Sequence, residues 1–382
     1  MADRQKHIFI LAGEPSGDRI GGDLLRRLNS RVEYIASGIG GNDMTGEGLT
    51  SSYPMSDLSV MGFADVIMRL PLLLWRNWQT ARQILREKPD IVVLIDSQVF
   101  SSMLAARLRK AGFMAPILLY VAPAVWAWKP ERAPKLAKLF DEVLAVLPFE
   151  PEFMDKLKGP KTSYVGHPAL AIDELPFDNS DAAGLVALLP GSRLGEIRRH
   201  MPLFRKLAER LSSHSKVSGF ILPTLPHLQE ALREEVATWN AAVEIVVGRE
   251  ARTRALANTR AAIVTAGTVT LELALSGIPM VGTYIPDKRL MHHYEKAGRP
   301  MIALPNIILG HRIIPEIAPD EAMADALYSA TTTLLEDDLA RTAQLEAFRD
   351  MRALMEAGAE LAPRQDPVDR VLAYLPDSST EI

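Results

Sequence analysis

"FILAGEPSGDRIGGDLLRRL", Phe9 to Leu28, opens as an apolar run, breaks at Gly13, and passes through Glu14, Pro15, Ser16, Gly17 and Asp18 into residues of helical period. A buried strand handed through a short polar loop to a helix is the start of a βαβ unit. The pattern returns at "LVALLPGSRLGEIRRHMPLF", Leu185 to Phe204. Working outward, strand-like runs alternate with helix-like runs along the chain. The first half gives His7–Leu11, Val32–Ser37, Ile91–Ile95, Ile117–Val121, Val143–Leu147 and Ser163–Val165. The second gives Leu185–Leu189, Val217–Leu222, Val243–Val247, Ala262–Thr265, Met280–Tyr284 and Met301–Leu304. Runs such as "IVVLI" at 91–95 do not alternate, as expected of parallel strands covered on both faces. The reading is α/β with two doubly wound, Rossmann-like domains. "ELPFDNSDAAG", with Pro176 and Gly184, reads as a linker within 170–184. Domains are therefore expected at 1–172 and 184–340, with a helical tail over 341–382.

At 382 residues the chain suits two domains better than one. Hydrophobic residues at 48% and charged residues at 24% are ordinary for a globular protein. A net charge of −4 gives no sign of nucleic acid, so an anionic ligand would need local positive groups. With no cysteine there is no disulfide framework and no thiolate chemistry. "MADRQKHIFILAG" lacks the pattern of a signal peptide, and no run approaches the ~18 apolar residues that span a bilayer. A soluble or peripheral protein is expected.

Strand-to-helix loops expose backbone N–H groups at a helix N-terminus, where anions are favoured. In "LLPGSRLGEI", Gly191 turns the chain, Ser192 can donate and Arg193 can fork onto phosphate oxygens, although a capped helix with a surface arginine would look the same. There is no P-loop and no dinucleotide fingerprint. "VTAGTVTLELALSGIPMV" supplies a second such start at Gly267 and Thr268. Its Glu272 suits either two ribose hydroxyls or the helix dipole. Two such starts in one half-chain favour a nucleotide diphosphate.

In "IVVLIDSQVF", Asp96 stands where an apolar strand emerges, as a general base or as a helix cap. "YVAPAVWAWKPERAPKL" places Trp126 and Trp128 beside Pro123 and Arg132, a wall for a sugar ring or a packed pair under a loop. In "VMGFADVIMRLPLLLWRNW", Val60 to Trp78, thirteen of nineteen residues are apolar. That is either core or an interfacial membrane segment, and Pro71 predicts two short helices. No His, Asp or Glu spacing suggests a metal, and His292-His293 are adjacent.

"AGEPSGD" at 12–18, "VMGFADV" at 60–66, "PAVWAW" at 123–128, "VGHP" at 165–168, "LLPGSRLGEI" at 188–197 and "LPNIILGHRIIPE" at 304–316 resemble, in order, the lipid-A-disaccharide synthase family. The resemblance implies a glycosyltransferase-B fold, two domains facing a cleft. It implies an inverting, metal- and cofactor-independent reaction. UDP-2,3-diacylglucosamine would be condensed with 2,3-diacylglucosamine 1-phosphate (lipid X), giving a β-1,6-linked disaccharide and UDP. It makes Asp96 the general base and places Arg193 near the UDP phosphates. Glu272 and Asn306 fall in the donor half with Gly191, Ser192, Gly267 and Thr268. Glu14, Ser16, Gly17 and Trp126 fall to the acceptor. Phe63, Leu72, Leu73 and Trp75 become a membrane patch, with Arg69 and Arg76 at headgroups. A peripheral place on the cytoplasmic side of a Gram-negative inner membrane is implied, as is a homodimer whose C-terminal helices pack back or are swapped.

The chain departs from the family's usual pattern after Asp96, where Ser97-Gln98-Val99 replaces Pro-Asp-Phe and removes a second acid. It also has Asp65 for Glu, and Ala266 for Ser in Ser-Gly-Thr. The competing reading is an isomerase resembling UDP-N-acetylglucosamine 2-epimerase, which needs neither the apolar segment nor the tryptophan wall.

Overall fold

The computed structural model describes residues 5–59, 63–127, 129–175, 182–320 and 322–376, and not the side chains of 63–67, 288, 289 and 293. The chain divides into two units, Met1–Pro168 with Met355–Ile382, and Ala169–Leu354. The first carries β1 (Lys6–Ala12), β2 (Tyr34–Ile39), β3 (Thr50–Ser51), β4 (Ile91–Ile95), β5 (Ile117–Tyr120), β6 (Glu142–Ala145) and β7 (Thr162–Tyr164). The second carries β8 (Gly184–Leu189), β9 (Val217–Thr224), β10 (Val243–Val247), β11 (Thr259–Thr265), β12 (Met280–Thr283) and β13 (Glu316–Ile317). The sheets run β3-β2-β1-β4-β5-β6-β7 and β10-β9-β8-β11-β12-β13, every pairing parallel. All five residues of β4 and all seven of β11 are buried, which is why they carry no polar alternation.

Both sheets reverse their winding once, at β1/β4 in the first and at β8/β11 in the second. Ligands of open parallel sheets sit off the carboxyl ends of the strands at such switch points.

Three expectations need correcting. Met301–Leu304 is not a strand. The backbone N–H groups of Ile302 and Ala303 donate to the Glu316 carboxylate at 3.1 and 2.9 Å, and the helix Leu304–Leu309 begins with Pro305 in its first turn. The sixth strand is β13 instead. Pro71 does not divide its segment, because Phe63–Glu87 is one helix of 25 residues. Its later turns bury Asn77, Thr80, Ala81 and Ile84, and Asn77 donates to the Phe100 carbonyl at 3.1 Å. That anchorage offsets the lost hydrogen bond of an internal proline, about 3 kcal/mol. The tail does not begin at 341 either. The helix Asp338–Ala357 is shared between the units, and the chain from Met355 packs with the first. At the other boundary, residues 169–175 pack within the second unit, where Leu175 N–H donates to the Ser276 carbonyl at 3.0 Å.

Candidate functional site

In the first unit the switch point brings two loops together. Ala12 lies opposite Ile95 in the β1–β4 ladder, so Gly13 and Asp96 leave the sheet side by side. A Cβ on Gly13 would stand 2.1 Å from Ser97 Oγ, so this glycine permits the approach. Glu14 takes the extended N-cap position of the helix Pro15–Asn29, and Glu14 and Ser16 are exposed. Gly17 is buried. A Cβ there would meet Ala12 and Ile95 at 3.4 Å, so Gly17 packs the start of the helix against β1 and β4. Asp18 is 4% exposed and accepts from the N–H groups of Gly41, Asp43 and Met44, tying down the loop after β2.

Asp96 and Ser97 both have left-handed backbones, φ 54° and 45°. Val121, just past β5, stands at φ 75°, a rare conformation for a β-branched residue. The Asp96 N–H donates to the Tyr120 carbonyl, and the Val121 N–H to that of Leu144, each at 2.9 Å. Such residues cost about 1–3 kcal/mol each, persist only where their surroundings impose them, and concentrate at functional sites. Burial pushes the Asp96 carboxyl above its ordinary value, with the Ser97 N–H opposing. Asp96 is thus a half-buried carboxylate off a buried strand, at the place where the fold collects ligands.

Trp126 is half-buried. Its ring meets Phe149 edge-on at 5.1 Å, and its Nε1–H donates to Glu150 at 3.3 Å. Glu150 also accepts from Val146 and Leu147 N–H. Burial pushes its carboxyl to about 7 against these three bonds. Trp128 lies outside the described residues.

In the second unit the loop after β8 holds Gly191 at φ 109°, where a Cβ would also stand 2.8 Å from Glu196 Oε2. Ser192 and Arg193 are exposed, and Arg193 pairs with Glu196 at 2.8 Å. Arg193 is 78% exposed and Glu196 14%, and with the guanidinium in solvent the pair is worth about 1 kcal/mol or less, leaving the guanidinium ready to turn to a ligand. His200, fully buried, accepts from Ile285 N–H at Nε2 and therefore donates from Nδ1 to the Glu196 carbonyl, both 2.8 Å. Burial lowers its pKa, consistent with a neutral ring that ties the Arg193 helix to the segment after β12. Off β11, Gly267 and Thr268 are exposed, and Thr270 links Gly267 to the Leu304 N–H. Glu272 is held by Arg252 at 2.7 Å.

Asn306 is fully buried. It donates to the Ile314 carbonyl and Glu316 and accepts from Ile313 and Ile314 N–H, all at 2.9 Å. With its amide so engaged, it shapes the loop that leads into β13. Gly13, Val121, Glu150, His200 and Arg252 were not singled out by sequence. For His200 a signal existed in its spacing of four from Glu196.

On the helix Phe63–Glu87, Met68, Leu70, Leu74, Trp75 and Trp78 are 43–74% exposed. Leu72 and Leu73 are half-buried, and the Phe63 side chain is outside the described set. Arg76 does not project as a headgroup cation. It is held by Asp57 at 2.5 Å and lies over the Tyr53 and Trp75 rings. No described helix is long and apolar enough to cross a membrane, and no group of three or more described His, Asp or Glu residues could hold a metal ion.

Two parallel-sheet units, each with polar loops at its own switch point, define a fold that solved structures share. The calicheamicin glycosyltransferase CalG4 matches with a TM-score of 0.56 at 16% identity, covering 97% of this chain and 98% of that one. UDP-GlcNAc 2-epimerase from Neisseria meningitidis bound to UDP-GlcNAc matches at 0.58 and 10%, covering 92% and 99%. The class is therefore the glycosyltransferase-B fold, and at these identities the likeness speaks for fold alone. The particular family comes from sequence: the model described as Lipid-A-disaccharide synthetase matches residues 8–365. The lipid-A-disaccharide synthase of Rhodopseudomonas palustris is 39% identical over 382 residues, covering 97% of this chain and 96% of the relative. The chain belongs to the lipid-A-disaccharide synthase family.

Proposed function

We propose that this chain is an inverting hexosyltransferase that transfers the sugar of UDP-2,3-diacylglucosamine to 2,3-diacylglucosamine 1-phosphate. The acceptor's 6-hydroxyl oxygen bonds to the donor's anomeric carbon, and Asp96 takes its proton. The bond from that carbon to the UDP oxygen breaks, and the electron pair leaves with UDP. The product is the β-1,6-linked disaccharide 1-phosphate. Arg193 and Ser192, with Gly191, Gly267 and Thr268, meet the diphosphate, and Glu272 meets the ribose. Glu14, Ser16 and Trp126 belong to the acceptor. No metal takes part, and charge on the leaving UDP falls to Arg193 and the backbone N–H groups beside it.

The observation that carries this reading is Asp96: a half-buried carboxylate, on a left-handed backbone, at the β1/β4 switch point of a chain in this family. Its environment suits a base and its backbone is not that of an ordinary cap. The exposed stripe on Phe63–Glu87 supports a place on the cytoplasmic face of the inner membrane, where diacyl substrates reside. A homodimer completes the proposal; light scattering at the mass of one chain would remove that part. The central test is incubation with both lipid substrates and mass detection of a disaccharide phosphate. Absence of the disaccharide, with epimerisation of UDP-N-acetylglucosamine instead, would transfer the chain to the isomerase reading.

A further inference from the structure

Glu272 lies in the helix Thr268–Leu275 that leaves β11, and it is 36% exposed. A glutamate so placed has three rotatable bonds, and freezing its rotamers opposes any ligand it must meet. Here one oxygen is already fixed. Arg252 Nη2 donates to Glu272 Oε2 at 2.7 Å, and no described residue donates to Oε1. The two lie twenty residues apart, on elements that leave different strands. Gly248, at φ 93°, turns the chain out of β10, and Arg252 N–H closes on the Gly248 carbonyl at 3.0 Å. Arg252 therefore stands in the first turn of the helix Arg249–Leu256, fixed at its base before it reaches across to Glu272.

We propose that Arg252 is a positioning residue for the sugar-nucleotide donor: by holding Oε2 of Glu272 it presents Oε1 to the vicinal hydroxyls of the ribose. The proposal rests on the donor reading of Glu272 given above and adds the residue that makes that contact selective. The geometry suits a diol better than a phosphate. A carboxylate repels the diphosphate and accepts from hydroxyls, while the guanidinium neutralises it without blocking the second oxygen.

Selectivity for ribose, rather than affinity alone, is the readout that a merely structural arginine would not move. Calorimetric dissociation constants for UDP and 2′-deoxy-UDP give a ratio for each variant. In the wild type the ratio is expected at about tenfold or more, the size of a hydrogen bond to a charged group. Glu272→Ala should bring it close to one. Arg252→Leu should lower it by at least about threefold while Arg193 still holds the diphosphate, and Arg252→Lys should keep part of it. Arg252 is one-third exposed, so its loss does not threaten folding. If Glu272→Ala collapses the ratio and Arg252→Leu leaves it at the wild-type value, the positioning role is wrong and the donor reading stands. If Glu272→Ala leaves the ratio unchanged, the ribose contact itself is wrong and the role of Arg252 falls with it.

Discussion

Asp96→Asn removes one proton acceptor and keeps the shape. A general base is worth roughly 100- to 10,000-fold, so kcat should fall by that much in a variant that still folds. The base must be ionised, and burial raises its pKa. Activity should therefore fall as pH drops through a value above that of a free aspartate, with kcat/KM against pH as the measurement. Near-wild-type turnover by the asparagine variant would exclude the role, and a limb where a free aspartate titrates would exclude the raised pKa. Arg193→Ala removes a charged hydrogen bond to the leaving group and should lower turnover roughly ten- to a hundredfold. EDTA should leave the wild type untouched, and inhibition reversed by Mg²⁺ would overturn the metal-free step. At this scale the sequence shows which residues end a buried strand, because an apolar pentad that meets a carboxylate is visible in one dimension. It does not show the left-handed backbones at Asp96 and Val121, since neighbouring strands impose them. Nor does it show that Asn306 is turned inward, because the groups it binds are folded around it by a loop of no fixed period. Arg252 and Glu272 share no helix or strand whose spacing could announce the pair.

Elements follow the apolar pattern where they are long. β1 and β4 are legible as hydrophobic runs and β11 only in its later part, because Thr259 and Arg260 open it, whereas β3 and β13, two residues each, carry too little pattern to be read. The helix Phe63–Glu87 shows the converse, an element whose composition suits two environments. Its later turns are core, while Met68, Pro71, Trp75 and Trp78, at spacings of three and four, lie along one exposed side with Leu74 beside them. Each such side chain buried in lipid gains at most roughly 1.5–3 kcal/mol, so four or five suffice for reversible attachment. Leu72 and Leu73 are half-buried, and replacing them would confuse folding with docking. The discriminating variant changes Met68, Leu74, Trp75 and Trp78 to Ser. Its sedimentation with anionic liposomes should fall several-fold while its circular dichroism stays that of the wild type. Equal pelleting would return the helix to ordinary surface.

For the molecule as a whole, the chain's return from Met355 decides how the first unit is closed. The antiparallel pair β14 (Gly358–Ala359) and β15 (Ala362–Pro363) leads into the helix Pro367–Leu372, which buries Val368 and Val371. Arg370 grips Glu142 of β6 through both oxygens, at 2.9 and 2.7 Å, and Ser163 donates to the same carboxylate at 2.6 Å. Arg31 and Asp369 pair at 2.7 Å but are 43% and 59% exposed, whereas Glu142 is 0% exposed. The two contacts should behave differently. Arg31→Ala should cost less than about 1 kcal/mol. Arg370→Leu removes the bidentate partner of a buried carboxylate, which keeps Ser163 and, at 3.4 Å, Lys161, and should cost about 1.5–3 kcal/mol. Urea melts followed by tryptophan fluorescence report on this unit, because four of the five tryptophans belong to it. Burial pushes Glu142 up, but hydrogen bonds from Arg370, Ser163 and Tyr374 and the Arg370 charge outweigh it, and its pKa is lowered. A depressed carboxylate contributes stability that is present above its unfolded pKa and lost as pH falls through the folded one. In the leucine variant burial acts without the arginine, so Glu142 should take up its proton at higher pH and become neutral. The gap between wild type and Arg370→Leu should therefore be widest near neutrality and shrink on acidification. A gap that is below 1 kcal/mol at neutral pH, or one that does not change with pH, would mean that apolar burial of Val368 and Val371 alone closes the first unit.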